Sequence, residues 1–107
     1  MRTPKVERSL QADEDLISIW IHIAQHNPTA ADGVIDFIHA ECGRIAKNPS
    51  IGRNRDNLYP GIRSLAVGKS GWRSRYLVFY VETEGGINVA RILEGHQDIS
   101  PDDLRTG

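Results

Sequence analysis

The sequence lacks several features that would narrow its function at once. It has a single cysteine, Cys42, among 107 residues, so no internal disulfide can form and we expect a reducing, cytoplasmic location. Its longest apolar stretches, residues 16–24 and 76–81, are too short to span a bilayer. The N-terminus has no apolar segment of signal-peptide length. We therefore expect no membrane partner.

Net charge is also nearly absent. Thirteen Lys and Arg residues stand against fourteen Asp and Glu residues, a formal charge of −1. This balance excludes a chain that is basic throughout, the simplest kind of nucleic-acid binder. With 39% hydrophobic and 25% charged residues, the composition is that of an ordinary globular protein. The length predicts one domain over residues 1–107, in which residues 96–107 form a polar tail.

The charges that are present are strongly segregated along the chain. Residues 44–75 carry eight basic residues and one acidic residue, a net charge of +7. The segments on either side, residues 1–43 and 76–107, each carry a net charge of −4. A basic block between two acidic segments suits an oriented contact with a protein better than binding to bulk nucleic acid. We expect no direct nucleic-acid binding.

Two helices are predicted in the first half of the chain. Leu16, Ile19, Trp20 and Ile23 recur at helical spacing, which predicts that Trp20 anchors the core. Asn27 and Pro28 end this helix and begin a second one, because Asn is a good N-cap and Pro is tolerated at the first helical position. The second apolar stripe reaches residue 45, and Pro49 follows it. Two helices with so short a connection form an antiparallel hairpin.

The remaining segments favour strands. Residues 5–10 are a candidate first strand, and residues 62–67, 75–82 and 87–93 are three more, separated by glycine-rich turns. Turn-forming residues fill positions 48–61. The predicted order is β-α-α-β-β-β. We interpret it as an α+β fold in which a helical hairpin packs on a small, mainly antiparallel twisted sheet.

Five motifs in this order resemble the ParE branch of the RelE/ParE toxin superfamily. They are D-L-I-S-I-W at 15–20, N-P-T-A-A at 27–31, I-A-x-x-P-x-I-G-R at 45–53 followed by Arg55, L-x-P-G-I-R-S-L at 58–65 with R-Y-L-V-F-Y at 75–80, and R-I-L-x-G-x-x-D at 91–98. The resemblance covers roughly residues 5–99. It implies a RelE/ParE-like fold and the toxin of a type II toxin–antitoxin system, neutralised by a cognate antitoxin protein.

The resemblance leaves the target open between DNA gyrase, as for ParE toxins, and messenger RNA on the ribosome, as for RelE toxins. Metal-free RNA cleavage requires a base, an acid and cations for the phosphate. Glu94 and Gln97 occupy positions at which the family commonly has His and Arg, and no tyrosine follows Tyr80. His96 is a candidate acid or base, although a single histidine in a polar tail is more commonly a solvated side chain. We therefore expect gyrase inhibition by protein binding and no catalytic residue. An mRNA endonuclease and an inactive module that only binds antitoxin are the alternatives.

The basic block supplies most of the candidate partner-binding residues. An antitoxin segment rich in carboxylates would be attracted to it, because the planar guanidinium of Arg suits carboxylate contacts; the bland alternative is a solvated surface. We expect these residues to lie together at one end of the sheet. Trp72, in a turn, is either an exposed partner contact or folded back onto the hairpin. The candidates are Arg53, Arg55, Arg63, Trp72, Arg73, Arg75 and Arg91.

Cofactor chemistry has little support in the sequence. His22 and His26 have the spacing of a two-histidine metal site, but the glutamate of the zincin pattern is missing. The glycines do not form a phosphate-binding loop followed by Lys and a helix. Cys42 lies on an apolar helix stripe and is interpreted as an unreactive core residue. We expect neither a metal nor another cofactor.

Overall fold

A computed structural model describes residues 3–95 of the chain, so the predicted polar tail lies outside the described residues. The elements are β1 (Lys5–Arg8), α1 (Leu10–Ala24), α2 (Pro28–Lys47), a short 3-10 helix (Pro49–Ile51), β2 (Arg53–Asn54), β3 (Ile62–Val67), β4 (Tyr76–Thr83) and β5 (Gly86–Glu94). The predicted α+β class is confirmed.

Side-chain caps set the beginnings of both helices. The Ser9 hydroxyl accepts a hydrogen bond from the backbone N–H of Ala12 at the start of α1. Asn27 accepts one from Ala30 at the start of α2, and Pro28 follows at the first helical position. The predicted break between the two helices is therefore confirmed, because α1 ends at Ala24 and α2 begins at Pro28 with Asn27 as its N-cap. Neither helix of the described residues is long and apolar enough to cross a membrane.

The five strands form one mixed sheet in the order β1-β5-β4-β3-β2. The pairs β2–β3, β3–β4 and β4–β5 are antiparallel, whereas β1 runs parallel to β5. Strand β2 and the 3-10 helix before it were not predicted, since a two-residue strand is too short to show a period of two. Antiparallel pairing predominates, as expected.

The core lies mainly between the helices and one face of the sheet. Leu16, Ile38 and Ile45 pack from the helices against strand residues such as Val78 and Val89. The opposite face of the sheet carries a smaller cluster around Ile62 and Phe79. β4 is therefore buried on both faces, which explains why its sequence reads as a continuous apolar run. Cys42 is 1% exposed within the main cluster, and burial raises the pKa of its thiol to about 11.

The expectation that Trp20 anchors the core is wrong. Its side chain is 39% exposed, and its indole Nε1 donates a hydrogen bond to Asp32 Oδ1 on α2 at 2.8 Å. Trp20 lies at the edge of the apolar stripe of α1, so helix geometry turns it toward α2 rather than toward the sheet. Ala12 and Leu16 are the α1 residues that are buried.

Asp15 connects α1 to the part of β5 that β1 does not cover. Strand β1 pairs only with residues 86–89 of β5. Beyond that point Asp15 Oδ2 accepts the backbone N–H of Ile92 at 2.9 Å and Arg91 Nε at 2.8 Å, while Oδ1 accepts Arg91 Nη2 at 3.0 Å. The register shifts here, since Arg91 pairs with Phe79 and Val89 pairs with Tyr80. The bulge lies where the strand meets the helix.

We predict that Asp15→Asn destabilises the fold by about 2–4 kcal/mol, because the amide of Asn cannot satisfy three donors that are largely buried. Asp13→Asn is the matched control. Asp13 pairs with Arg8 at 2.6 Å, but its side chain is 48% exposed, so we expect a loss below about 1 kcal/mol. Urea unfolding followed by circular dichroism measures both values. Equal losses for the two variants would contradict this role for Asp15.

Candidate partner-binding site

Arg53 and Arg55 lie on the face of the sheet opposite the helices. Arg53 pairs with Ser64 across β2 and β3, and its side chain is exposed. Arg55 Nη1 donates to the Ser64 hydroxyl at 3.2 Å, and its guanidinium lies 5.7 Å from the centroid of the Phe79 ring. These two arginines therefore form a cationic edge beside an apolar sheet face, and Arg55 is held in place by two contacts.

The Arg63 side chain lies on the opposite face of the sheet from Arg53 and Arg55 and contacts backbone carbonyl oxygens. Its register partner is Tyr80, on the helix side of the sheet. The Nη1 atom of Arg63 donates to the carbonyl oxygen of Gly52 at 2.8 Å and lies 3.4 Å from that of Ser50. Arg63 thus fixes the segment that leads into β2, and it positions Arg53 rather than sharing its exposed surface.

Tyr80 holds the same segment from the core. Its hydroxyl donates to the carbonyl oxygen of Pro49 at 2.6 Å and accepts the backbone N–H of Gly52 at 2.9 Å. A Cβ atom on residue 52 would lie 2.3 Å from the Tyr80 hydroxyl oxygen, so only glycine fits there. Desolvation by burial raises the pKa of the Tyr80 phenol, which keeps it a neutral donor. We refer to Tyr80, Pro49, Gly52 and Arg63 as the latch.

The loop after β2 is organised around Asp56. Its Oδ1 accepts the backbone N–H of Gly61 at 2.8 Å and its Oδ2 accepts Asn54 Nδ2 at 3.0 Å. The Gly61 hydrogen bond, followed by that from Asn54, lowers the pKa of the Asp56 carboxyl. Among the described residues this carboxylate forms no ion pair with Arg55, its sequence neighbour. The loop that follows the cationic edge is therefore ordered by its own hydrogen bonds.

The expectation of a single basic cluster at one end of the sheet is wrong. Arg63 pairs with Tyr80, whereas Val67 at the other end of β3 pairs with Tyr76. Four strand residues span about 13 Å. Arg73 and Arg75 directly precede β4, so they lie at the opposite end of the β3–β4 pair from Arg53 and Arg55. Antiparallel pairing separates them, because residues close to a hairpin turn lie far from the open ends of its strands.

Trp72 is folded back onto the body of the protein. Its ring makes edge contacts with Phe37 of α2, at a centroid distance of 5.0 Å, and with Tyr76, at 6.5 Å. The Lys69 ammonium lies 6.0 Å from the Trp72 ring and 5.3 Å from the Phe37 ring. Trp72 was interpreted either as an exposed partner contact or as a side chain folded back onto the hairpin, and the structure shows that it is folded back. Its edge borders a cleft of about 410 Å³ that Arg73, His22 and Glu94 also line.

Arg91 belongs to the joint between α1 and β5. Its guanidinium is bound by Asp15, and its side chain is 20% exposed. Glu94, at the end of the same strand, accepts a hydrogen bond from the Ser74 hydroxyl at 3.3 Å. Both residues line a cleft of about 280 Å³ together with Asp15 and His22. Two carboxylates and one guanidinium surround this cleft, while His96 and Gln97 lie outside the described residues.

The two histidines that the sequence offered as candidate metal ligands are His22 and His26. Both His22 and His26 are exposed at the end of α1. Over residues 3–95, no group of three or more His, Cys, Asp or Glu side chains is arranged to hold a metal ion.

Sequence reasoning missed Tyr80, Gly52 and Ser64 as parts of the site. Tyr80 gave a usable signal, because a tyrosine in the middle of a buried strand requires a partner for its hydroxyl. The identity of that partner depends on the path of residues 49–52, which no local pattern encodes. Ser64 gave no signal, since alternate positions of a strand commonly carry small polar residues.

The helical hairpin and mixed sheet form an architecture that is also found in a solved structure. A solved structure described as the chromosomal ParDE TA system from P. aeruginosa superposes with a TM-score of 0.66 over 86% of this chain and 96% of that chain. Its sequence identity to this chain is 20%, so this likeness establishes the architecture.

Sequence comparison supplies the family. The family model described as "ParE toxin of type II toxin-antitoxin system, parDE" matches residues 6–99. Two relatives, each called Toxin ParE1, from two strains of Mycobacterium tuberculosis, are 41% identical over 56 residues, 52% of this chain and 52% of each relative. The match thus spans about half the length of these curated relatives. The chain belongs to the ParE toxin family of type II toxin–antitoxin systems.

We predict that Tyr80→Phe lowers the free energy of unfolding by about 1–3 kcal/mol, because the buried N–H of Gly52 and C=O of Pro49 lose their partner. Tyr59→Phe is the matched control, since the Tyr59 side chain is 49% exposed and should tolerate the loss of its hydroxyl. Thermal unfolding of both variants measures the difference. An unchanged midpoint for Tyr80→Phe would contradict the latch.

Proposed function

We propose that this protein inhibits DNA gyrase by binding to it, without a catalytic centre of its own, and that a cognate antitoxin neutralises it in the cytoplasm. Membership of the ParE family supports the proposal. The observation that carries it is the cationic edge of Arg53 and Arg55, in which Ser64 and Phe79 contact the Arg55 guanidinium and the latch fixes the backbone that leads to Arg53. Such preorganised charges favour docking of a protein partner, because little side-chain entropy is lost on binding.

The ribonuclease alternative is less well supported by the chemistry around this edge. The Tyr80 hydroxyl is engaged by two backbone groups, and the Asp56 carboxylate accepts hydrogen bonds from its own loop. Neither is therefore available as a base for a 2′-hydroxyl. Glu94 places a negative charge near Asp15 where a scissile phosphate would require cations. These features favour a function in binding.

An antitoxin segment rich in carboxylates would find complementary charge at Arg53 and Arg55. Arg53 is exposed, and the Arg55 guanidinium lies over the Phe79 ring, 5.7 Å from its centroid. Charge complementarity of this kind raises the association rate and fixes the register of the partner. Arg73 and Arg75 lie at the far end of the β3–β4 pair, so a segment that reached both groups would have to cross the sheet.

We predict that the purified protein inhibits gyrase supercoiling while leaving ribosome-bound messenger RNA intact in a translation extract. The same protein saturated with its antitoxin is the control in both assays and should be inactive. Cleavage of the message, with supercoiling unaffected, would overturn the gyrase proposal in favour of a nuclease. Inactivity in both assays, with antitoxin binding retained, would favour a module that only binds antitoxin.

We predict that Arg53→Glu weakens antitoxin binding about tenfold, mainly through a slower association rate, because the charge reversal repels carboxylates. Arg73→Glu tests the opposite end of the strand pair separately. Lys5→Glu is the matched control, since Lys5 is exposed on β1 at the other edge of the sheet. Surface plasmon resonance gives the rates. Affinities unchanged in both arginine variants would show that neither end is part of the interface.

A further inference from the structure

The cleft beside Trp72 has the size and the walls of a small-molecule site. It has a volume of about 410 Å³ and lies where the connected ends of α1 and α2 meet the segment that leads into β4. Ile23 of α1 and Val34 of α2 line it from the helices, and Trp72 and Tyr76 line it from the sheet. Sites for small ligands commonly measure about 300–1,000 Å³ and have mostly apolar and aromatic walls with a few polar groups. We refer to this space as the hairpin cleft.

The aromatic wall of the hairpin cleft is fixed by contacts within the protein. The Trp72 ring packs edge-on against Phe37 and Tyr76, at centroid distances of 5.0 and 6.5 Å. The Lys69 ammonium lies 6.0 Å from the centroid of the Trp72 ring, and the Tyr76 side chain is buried. A ligand that packs on these rings therefore meets side chains already ordered, so binding costs little side-chain entropy.

Two opposite charges line the same cleft. Arg73 and Glu94 both border it. The Ser74 hydroxyl donates to Glu94 Oε2 at 3.3 Å, and Ser74 follows Arg73 in the chain, so the carboxylate lies close to the backbone that carries the guanidinium. Within residues 3–95, Arg73 is exposed and forms no ion pair. The hairpin cleft thus offers a cation and an anion beside one apolar wall.

The carboxylate acts on the interior of the cleft as well as on its rim. Burial, and after it the negative charge of Glu94, raise the pKa of the Tyr76 phenol. Tyr76 therefore keeps a neutral hydroxyl that can donate a hydrogen bond. The influence of Glu94 on this phenol places negative charge next to the aromatic wall, where a positively charged group of a ligand would be stabilised.

The combination of charges determines which ligand fits. Arg73 attracts a carboxylate, because the planar guanidinium can bind both of its oxygens, but Glu94 repels a ligand that has only a negative charge. A simple amine meets the reverse situation. A molecule with a carboxylate and an ammonium on one carbon satisfies both charges, and an attached ring packs on Trp72. We infer that the hairpin cleft binds a free α-amino acid with an aromatic side chain.

This site is separate from the cationic edge at Arg53 and Arg55, since Arg73 lies at the opposite end of the β3–β4 pair. The inference goes beyond the proposed function and depends on neither gyrase nor antitoxin. An end of a protein chain offers part of the same chemistry. However, a C-terminal residue has an amide in place of the ammonium, and an N-terminal residue has an amide in place of the carboxylate, so capped amino acids distinguish these sources.

Nuclear magnetic resonance of the 15N-labelled protein tests the inference. The chain has two tryptophans and therefore two indole N–H signals, which the Trp20→Phe variant assigns. Trp72 lines the hairpin cleft, whereas the Trp20 indole is hydrogen-bonded to Asp32 elsewhere on the helices and serves as an internal control. On titration with L-phenylalanine we expect the Trp72 signal to move with a Kd of about 1 mM and the Trp20 signal to stay.

Three further ligands separate the contributions to binding. N-acetylphenylalanine lacks the ammonium, phenylalaninamide lacks the carboxylate and glycine lacks the ring. We expect each to bind about tenfold more weakly than phenylalanine, because each leaves one part of the site without its partner. Equal affinity of N-acetylphenylalanine or phenylalaninamide would overturn the inference in favour of a chain end as the ligand.

Variants of the protein assign the two charges. Arg73→Gln should weaken phenylalanine binding about tenfold and remove its advantage over phenylalaninamide, and Glu94→Gln should remove its advantage over N-acetylphenylalanine. Arg75→Gln is the matched control, since Arg75 is an exposed arginine two positions away that does not line the cleft, and it should leave binding unchanged. The dispersion of the backbone amide signals verifies that each variant is folded.

Three other results would each overturn the inference. They are a Trp72 signal that does not move with phenylalanine, equal movement of both indole signals, and undiminished binding to both the Arg73→Gln and the Glu94→Gln protein. Because the titrations contain neither gyrase nor antitoxin, their failure would leave the proposed function intact.

Discussion

The contact of Asp15 with the edge of β5 is the interaction on which the rest of the arrangement depends. The Asp15 carboxylate accepts hydrogen bonds from the backbone N–H of Ile92 and from two nitrogens of the Arg91 guanidinium. The helix therefore satisfies a backbone donor of β5 that a further strand would otherwise pair. β1 can therefore remain four residues long, and the sheet edge is closed by a helix. Because α1 is fixed at this point and α2 packs against it, the position of α1 also sets that of α2.

A second constraint acts at the other side of the sheet. The latch holds residues 49–52 against β4 and β3, and this places the two residues of β2 beside β3. Without it, Arg53 and Arg55 would belong to an irregular loop whose ordering would oppose binding. The protein thus presents a cationic edge at β2, whereas residues 9–43, which include both helices up to Gly43, contain no Lys or Arg. The charge segregation of the sequence becomes a spatial separation.

Much of the fold could be predicted because its signals are local. Ser9, Asn27 and Pro28 act on neighbouring backbone groups, and the apolar run of β4 reflects burial on both faces. Trp20 was wrongly assigned to the core because it lies at the edge of the apolar stripe of α1. Only the position of α2 determines whether a residue at that edge is buried. The basic residues were assigned to the loop after α2 and to the hairpin of β3 and β4, yet their predicted grouping was wrong, since it depends on which end of each strand they occupy.

The sequence alone determined the class of fold, the family motifs and the unequal distribution of charge, because each depends on residue type and spacing along the chain. The tertiary structure decided which charges act together. It bound Arg91 to Asp15, turned Arg63 toward the backbone of Gly52, and placed Arg53 and Arg55 about 13 Å or more from Arg73. The physical reason is the same throughout: hydrogen bonds and burial are satisfied by partners distant in sequence, so no local pattern specifies them.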